Sequence, residues 1–413
     1  MTSRVPAAVG ALVLALSLAA CGSNGAASTP VTTPTPSGAS PSGSMSMGDG
    51  GAASPTMAAT PDGTVTVDTT LLPGMPAPLD RRNVYAADRP NALSPAVAHD
   101  LYRVYVPNTG SDTVTVIDPR TYRVIGHFAV GRQPQHVVPS WDLRTLWVNN
   151  DLGNSLTPID PRTGRPGRAV TVADPYNLYF TPDGKHAVVM ASKLHRLDFR
   201  DPHTMAMQKS VPVPCAGVNH ADWTANGRYF LVSCEFSHEL LWVDTEREKV
   251  LKVLHLPGAS MPQDVKISPD GTTFFVADMM SNGVWVYRVG QHGPVLVHLL
   301  HTGAGAHGLY VARDATELFV SNRGAGSISV VDFATGKVRV TWHIPGGGSP
   351  DMGNLSPDGR TLWLSGRYDG VVYAIDTTSG ALRARIRVGL QPHGLTVWPQ
   401  PGRYSLGHTG IMR

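Results

Sequence analysis

One pattern recurs down most of the chain, and its period decides the fold. An apolar run closing on a turn of the Ser-Pro-Asp-Gly type appears as PQHVVPSWD (134–142), PYNLYFTPD (175–183), VNHADWTAN (218–226), PQDVKISPD (262–270), AHGLYVARD (306–314), PDMGNLSPD (350–358) and PHGLTVWPQ (392–400). The starts lie 41, 43, 44, 44, 44 and 42 residues apart. A second apolar run follows, as in Leu318-Phe319-Val320, then a third, as in Ile328 to Asp332, then a fourth, as in Val338 to Trp342. Asp-x-x-Thr-Gly, at Asp160 to Gly164 and Asp332 to Gly336, marks a tight turn between the third and fourth runs. Four short strands in each repeat of about 40–45 residues describe one blade of a β-propeller. The expected fold is therefore all-β, a single propeller of four-stranded blades.

Composition agrees with this fold. Gly 43 and Pro 34 make up about a fifth of 413 residues, against roughly 12% in an average chain. That excess suits short strands and turns and argues against a helical bundle. Charged residues are 16%, and the formal net charge is +3. Bulk electrostatics thus exclude a strongly basic nucleic-acid binder. Seven blades is the favoured count, with the 392–400 copy closing the ring as inner strand of a blade built from 101–132. Eight is the alternative, if Ala92 to Asp100 were a first strand and 64–90 supplied outer strands.

Tyr105-Val106-Pro107-Asn108, Phe319-Val320-Ser321-Asn322 and the Val-Ile-Asp-Pro at 116–119 resemble the YVTN-type β-propeller repeat family over about residues 91–400. The resemblance is specific for fold and weak for function. Its relatives include surface-layer and periplasmic propellers, lactonase-like enzymes and the haem-binding propeller of cytochrome cd-type nitrite reductases. It implies an N-anchored, extracytoplasmic, seven-bladed ring.

The N-terminus reads as a bacterial lipoprotein. Residues 1–20 carry one charge, Arg4, then an apolar run ending Leu18-Ala19-Ala20-Cys21-Gly22. The run is too short for a membrane span and fits a cleaved signal peptide. The expected lipidation site is Cys21, and two acyl chains suffice for stable anchoring. This predicts a lipid-anchored protein on the outer leaflet of the bacterial cytoplasmic membrane. Residues 21–80 are rich in Ser, Thr, Pro, Gly and Ala, with no Lys or Arg before Arg81. Such a stretch reads as a disordered tether, with the propeller and its tail over 81–413. Met45 and Met47 in the tether have thioethers that bind Cu(I), although two methionines in a tail are more often unused.

The two positions at the head of each first strand ring the channel mouth of a propeller. Here they are Gln135-His136, Tyr176-Asn177, Asn219-His220, Gln263-Asp264, His307-Gly308, Asp351-Met352 and His393-Gly394. The candidate ligand-binding residues are His136, Asn177, His220, Asp264, His307, Asp351, Met352 and His393. Of these, His136, His220, His307 and His393 are the candidate metal ligands, for copper, zinc or haem. The competing reading is a wet channel with a polar mouth. Cys215 and Cys234 fall on neighbouring strands at the same end, and a disulfide is expected, with thiolate ligation beside His220 as the alternative. His408, in the C-terminal tail, either folds back on the ring or frays. Arg323, Arg367 and Lys193 sit in mouth loops, where they could attract an anion, but isolated charges of this kind are usually just solvated.

Gly-x-Ser-x-Gly, P-loop, His-Glu-x-x-His and CxxC-His motifs are all missing. No catalytic residue can be named. The expectation is a binding or scaffold module, leaning away from an enzyme, monomeric, taking a small molecule, peptide or envelope protein at the mouth. A metal- or haem-dependent oxidoreductase or cofactor-handling protein is the alternative. A lactonase-like hydrolase ranks third, because no carboxylate cluster stands out.

Overall fold

The structure, a computed structural model, describes residues 69–408 and 410–413. The signal peptide, Cys21, Met45, Met47 and most of the expected tether lie outside the described residues.

Seven four-stranded antiparallel blades form the ring. Their innermost strands are Thr396–Trp398 (blade 1), Pro134–Pro139 (blade 2), Asn177–Phe180 (blade 3), Val218–Trp223 (blade 4), Pro262–Ile267 (blade 5), Ala306–Val311 (blade 6) and Pro350–Leu355 (blade 7). Five of these strands, in blades 2 and 4 to 7, span six residues each and are buried at every position. Burial takes in their polar residues as well, among them Asn219, Asp222, Lys266 and Asn354. Outermost strands such as Lys249–His255 are mostly exposed and carry charges along the open edge. Apolar side chains fill the spaces between blades. One cluster joins Leu231 and Trp242 of blade 4 to Phe274 and Trp285 of blade 5 and Leu309 and Val320 of blade 6.

The recurring turn has a backbone reason. At Ser268-Pro269-Asp270-Gly271, the Gly271 N–H donates to the Ser268 carbonyl at 2.9 Å, and Ser268 N–H to the Thr273 carbonyl at 2.7 Å. Gly271 sits at φ +72°, a conformation that glycine adopts without steric cost.

The ring closes as the seven-blade count requires. Thr396–Trp398 pairs antiparallel with Arg103–Asn108, matching Arg103 to Trp398 and Tyr105 to Thr396. The eight-blade alternative fails because Pro95–Val97 is a single 3-10 turn rather than a strand. No helix among the described residues is long and apolar enough to cross a membrane.

Two chain ends pack differently from expectation. The segment read as tether already packs from Leu72, which is buried and donates its N–H to the Asn226 carbonyl at 2.8 Å. Tyr85 then donates its hydroxyl to the Ile267 carbonyl at 2.8 Å. The C-terminal tail does not fray. Its strands Ser405–Gly407 and Ile411–Met412 form a hairpin, and Gly407 pairs with Tyr179 on the free inner edge of blade 3. A hairpin added to the inner edge of an innermost strand must lie in the central channel. It enters beside the turn of blade 2, where Ser405 N–H meets the Trp141 carbonyl, and returns to that end with Arg413 on Asp222 at 2.6 Å.

Candidate metal centre

The head positions of the inner strands leave the sheet ladder. In blades 2, 4, 5, 6 and 7 the register with the second strand shifts between Pro134 and Val137, Val218 and Ala221, Pro262 and Val265, Ala306 and Leu309, and Pro350 and Gly353. The two residues inside each shift are those read as the mouth ring. A bulge frees a residue from its partner and re-aims its side chain, here towards the channel. The side chains fall into two tiers. His307, Asp351 and His393 occupy the first position, nearer the mouth. His136, Asn177, His220 and Asp264 occupy the second. The tip of the C-terminal hairpin rises to meet the second tier and presents His408, whose N–H donates to the Leu178 carbonyl at 3.0 Å.

Five imidazoles therefore pack ring against ring. Centroid separations are 4.5 Å for His220–His408, 5.1 Å for His136–His408 and 5.7 Å for His136–His220. They are 4.8 Å for His136–His393, 6.0 Å for His307–His393 and 6.4 Å for His220–His307. Metal–nitrogen bonds of about 2.0–2.1 Å set two imidazoles on one ion roughly 4.5–6 Å apart, centre to centre. His136, His220 and His408 meet that condition in all three pairs, and their ligand atoms lie within 4.8 Å of one another. His220 and His307 do not meet it.

Hydrogen bonds orient the three rings. Nδ1 of His136 faces the Tyr176 carbonyl at 3.0 Å, so Nδ1 carries the proton and Nε2 keeps a lone pair. Asn177 Nδ2 lies 3.1 Å from Nδ1 of both His220 and His408. Nε2 of all three rings is buried without a hydrogen-bond partner. Burial first, then the His408 ring, holds His136 and His220 well below the usual imidazole range. Burial lowers His408 as well, although Asp264 pulls the other way. Neutral imidazole is the form that binds metals.

A family model for YNCE-like beta-propellers matches residues 85–401. The chain belongs to the YncE-like β-propeller family. Antigen Lp49 of Leptospira interrogans is 24% identical over 346 residues, which cover 74% of this chain and 72% of the antigen. The periplasmic gluconolactonase of Pseudomonas aeruginosa superposes with a TM-score of 0.60 at 19% identity, over 71% of this chain and 98% of that one. Kuenenia stuttgartiensis hydrazine synthase does so with a TM-score of 0.58 at 19% identity, over 68% and 93%. At these identities the two solved structures speak for the fold alone.

The other candidates of this YncE-like propeller take separate roles. Burial would push the Asp264 carboxyl up, but Lys266 and His408 outweigh it and hold it well below the carboxylate range. Its oxygens already accept from Lys266 Nζ at 3.0 Å and from the Val265 and Leu309 N–H groups at 2.9 Å. Asp264 Oδ1 thus faces Nε2 of His408 itself, 3.5 Å away. Met352 is not brought into the cluster by its sulfur, which accepts from the Tyr310 hydroxyl at 3.7 Å. Cys215 and Cys234 are bonded to each other, so neither is a free thiolate beside His220. Arg323 and Arg367 are not solvated. They turn inward on Asp351, at 3.2 Å and 4.0 Å. Lys193 pairs with Asp151 and Asp174. His408 is the residue that the repeat could not reveal, because it lies after the last copy.

Proposed function

We propose that this propeller is an extracytoplasmic metal-binding module, lipid-anchored through Cys21, that holds one Cu(II) or Zn(II) ion between His136, His220 and His408. One observation carries the reading: three buried imidazoles from separate elements bring ligand atoms within 4.8 Å of one another, with Nε2 of His136 and His220 unpaired and Nε2 of His408 facing only the Asp264 carboxylate at 3.5 Å. Leaving a buried polar atom unpaired costs about 1–3 kcal/mol, and one ion would satisfy the unpaired nitrogens of His136 and His220 together with His408 once their lone pairs face it. An all-nitrogen set of this kind suits zinc and copper. Rings packed this closely leave no width for a porphyrin between them, which disfavours haem at this position. Three protein ligands leave a fourth position for water or another ligand, the pattern of a reactive ion rather than a structural one. This opening favours the metal-dependent alternative over a purely structural scaffold.

Titration calorimetry and elemental analysis of the metal-free chain with Cu(II) and Zn(II) test the proposal. Tight binding is expected, lost in His136→Ala and His408→Ala and retained in His203→Ala, whose ring is exposed. Absence of binding by the folded wild type, or binding indifferent to both substitutions, would refute it.

A further inference from the structure

The first tier of the mouth was not used by that ion. His307, Asp351 and His393 come from the consecutive blades 6, 7 and 1, and all three sit at the first head position. Their ligand atoms also lie within 4.8 Å of one another. Nδ1 of His307 is 3.0 Å from Asp351 Oδ1, and Nε2 of His393 is 3.5 Å from Asp351 Oδ2. The side chains are 3%, 0% and 3% exposed. His307 Nδ1, His393 Nδ1 and Asp351 Oδ2 nevertheless make no hydrogen bond. A buried carboxylate flanked by two imidazoles, its contacts to them being ion-pair approaches rather than hydrogen bonds, is a second donor set.

We propose that His307, Asp351 and His393 bind a second divalent transition-metal ion, so that the channel holds a two-ion centre. The inference rests on the first ion's site being real. Ring separations divide the donors. His220 and His307, at 6.4 Å, are too far apart to share an ion, so His307 cannot join the first site through His220. His136 and His393, 4.8 Å apart between ring centres, place the two donor sets side by side, and the Asp351 Oδ2 contact at 3.5 Å assigns His393 Nε2 to the outer set. The donor sets differ: three imidazoles in the inner site, two imidazoles and a carboxylate in the outer one. Harder oxygen ligation from Asp351 suits an ion that keeps water among its ligands.

Charge fixes the order of filling. Arg323 and Arg367 already lean on Asp351, so a second dication must displace or share that carboxylate and meet two guanidiniums. Glu235, which accepts from Asn219 Nδ2 at 2.9 Å and lies in the field of Arg323, offsets part of this repulsion. The outer ion therefore binds after the inner one and more weakly, by tenfold or more.

Zn(II) titration of the full chain, with elemental analysis after desalting at several free-metal levels, reads the stoichiometry directly. Two ions in two resolved steps are expected. His307→Ala and the conservative Asp351→Asn should each abolish the weaker step and leave the tighter one, while His408→Ala removes the tighter step. Near-ultraviolet circular dichroism shows whether each variant is folded. With Cu(II), filling the second site should reduce the electron paramagnetic resonance signal below that of two isolated spins, through coupling of the ions. A wild-type plateau at one ion, removed by His136→Ala and untouched by Asp351→Asn, overturns the second site and leaves the first standing. No ion at all removes both.

Discussion

Gly394 makes room for the His136 ring. A β carbon built on Gly394 would stand 2.1 Å from Cδ2 of His136, well inside any permitted contact. The two backbones touch as well, with Val137 N–H on the Gly394 carbonyl and Gly394 N–H on the Gln135 carbonyl, each at 2.9 Å. Blade 1 thus gives up its own side chain at the second head position so that the ring from blade 2 can lie across it.

Gly394→Ala should displace His136 because the backbone beside it is pinned from both sides. Overpacking of this kind costs about 1–3 kcal/mol, and the proposed inner site loses the geometry of one donor. Expected are a lowered denaturation midpoint and at least a tenfold loss of Zn(II) affinity. Unchanged affinity in a folded Gly394→Ala would mean that His136 does not ligate.

The hairpin in the channel is clamped at its end by Arg413, whose Nη2 lies 2.6 Å from Asp222 Oδ1 and whose guanidinium stands 4.8 Å over the Tyr85 ring. Arg413→Met leaves Asp222 buried with the Trp223 and Ile267 N–H groups as its remaining partners. A broken buried pair costs about 3 kcal/mol or more. Urea unfolding should show that loss, and a paired Asp222→Leu/Arg413→Leu variant should recover most of it. Equal stability of Arg413→Met and wild type would show that the hairpin is not held by this pair.

Acid should weaken the metal-free fold in a defined window. His136, His220, His307 and His393 are held well below the ordinary imidazole range, by burial first and then by neighbouring positive groups, and burial lowers His408 too. For a depressed folded pKa, the unfolded chain takes up protons first. The stabilisation is whole above the free imidazole value of about 6.5 and erodes as pH falls below it. Asp88 and Asp151 act with the opposite sign. Burial pushes both carboxyls up to about 6, against the pull of Arg313 and Lys193 respectively, so their contribution is lost as pH rises through 6 and regained on acidification. Five imidazoles outnumber the two carboxyls, so stability should fall from pH 7.5 to 6 and go on falling, more steeply, below 6. Urea midpoints that stay level between pH 7.5 and 6 would contradict neutral buried histidines.

Much of this was legible because a period of about 43 residues ties sequence position to place. His136, His220, His307 and His393 share the two head positions of their repeats, so the ring must gather them. The seven-blade closure followed from the unpaired copy at 392–400. What escaped has specific causes. His408 lies beyond the last repeat, and its partner strand, Asn177–Phe180, is more than two hundred residues earlier, so no local pattern announces the contact. Arg323 and Arg367 lie in exposed-looking loops, but the buried Asp351 carboxylate draws them inward. Met352 is turned from the cluster by the Tyr310 hydroxyl. The division of five imidazoles into two donor sets depends on separations of an ångström or two, which a register argument does not resolve.

Asn177 controls which nitrogens of His220 and His408 carry protons. As placed, its amide N–H groups donate to both Nδ1 atoms, while Oδ1 accepts from the Leu178 N–H at 2.9 Å. That arrangement puts the imidazole protons on Nε2, the atoms that would meet an ion. Rotating the amide by half a turn lets Oδ1 accept from the Nδ1–H groups and frees both Nε2 lone pairs, at the cost of the Leu178 bond. A carboxylate has acceptors on both oxygens and avoids that conflict. Asn177→Asp should therefore tighten Zn(II) binding, because an acceptor behind a ligating imidazole fixes its tautomer and raises its basicity, an effect of about 10–100-fold. Asn177→Leu, which can do neither, should weaken it. Calorimetry on both variants, at a pH where the carboxyl is ionised, is decisive: a loss of affinity in Asn177→Asp as large as that in Asn177→Leu would mean that the ion does not bind through Nε2 of these two rings.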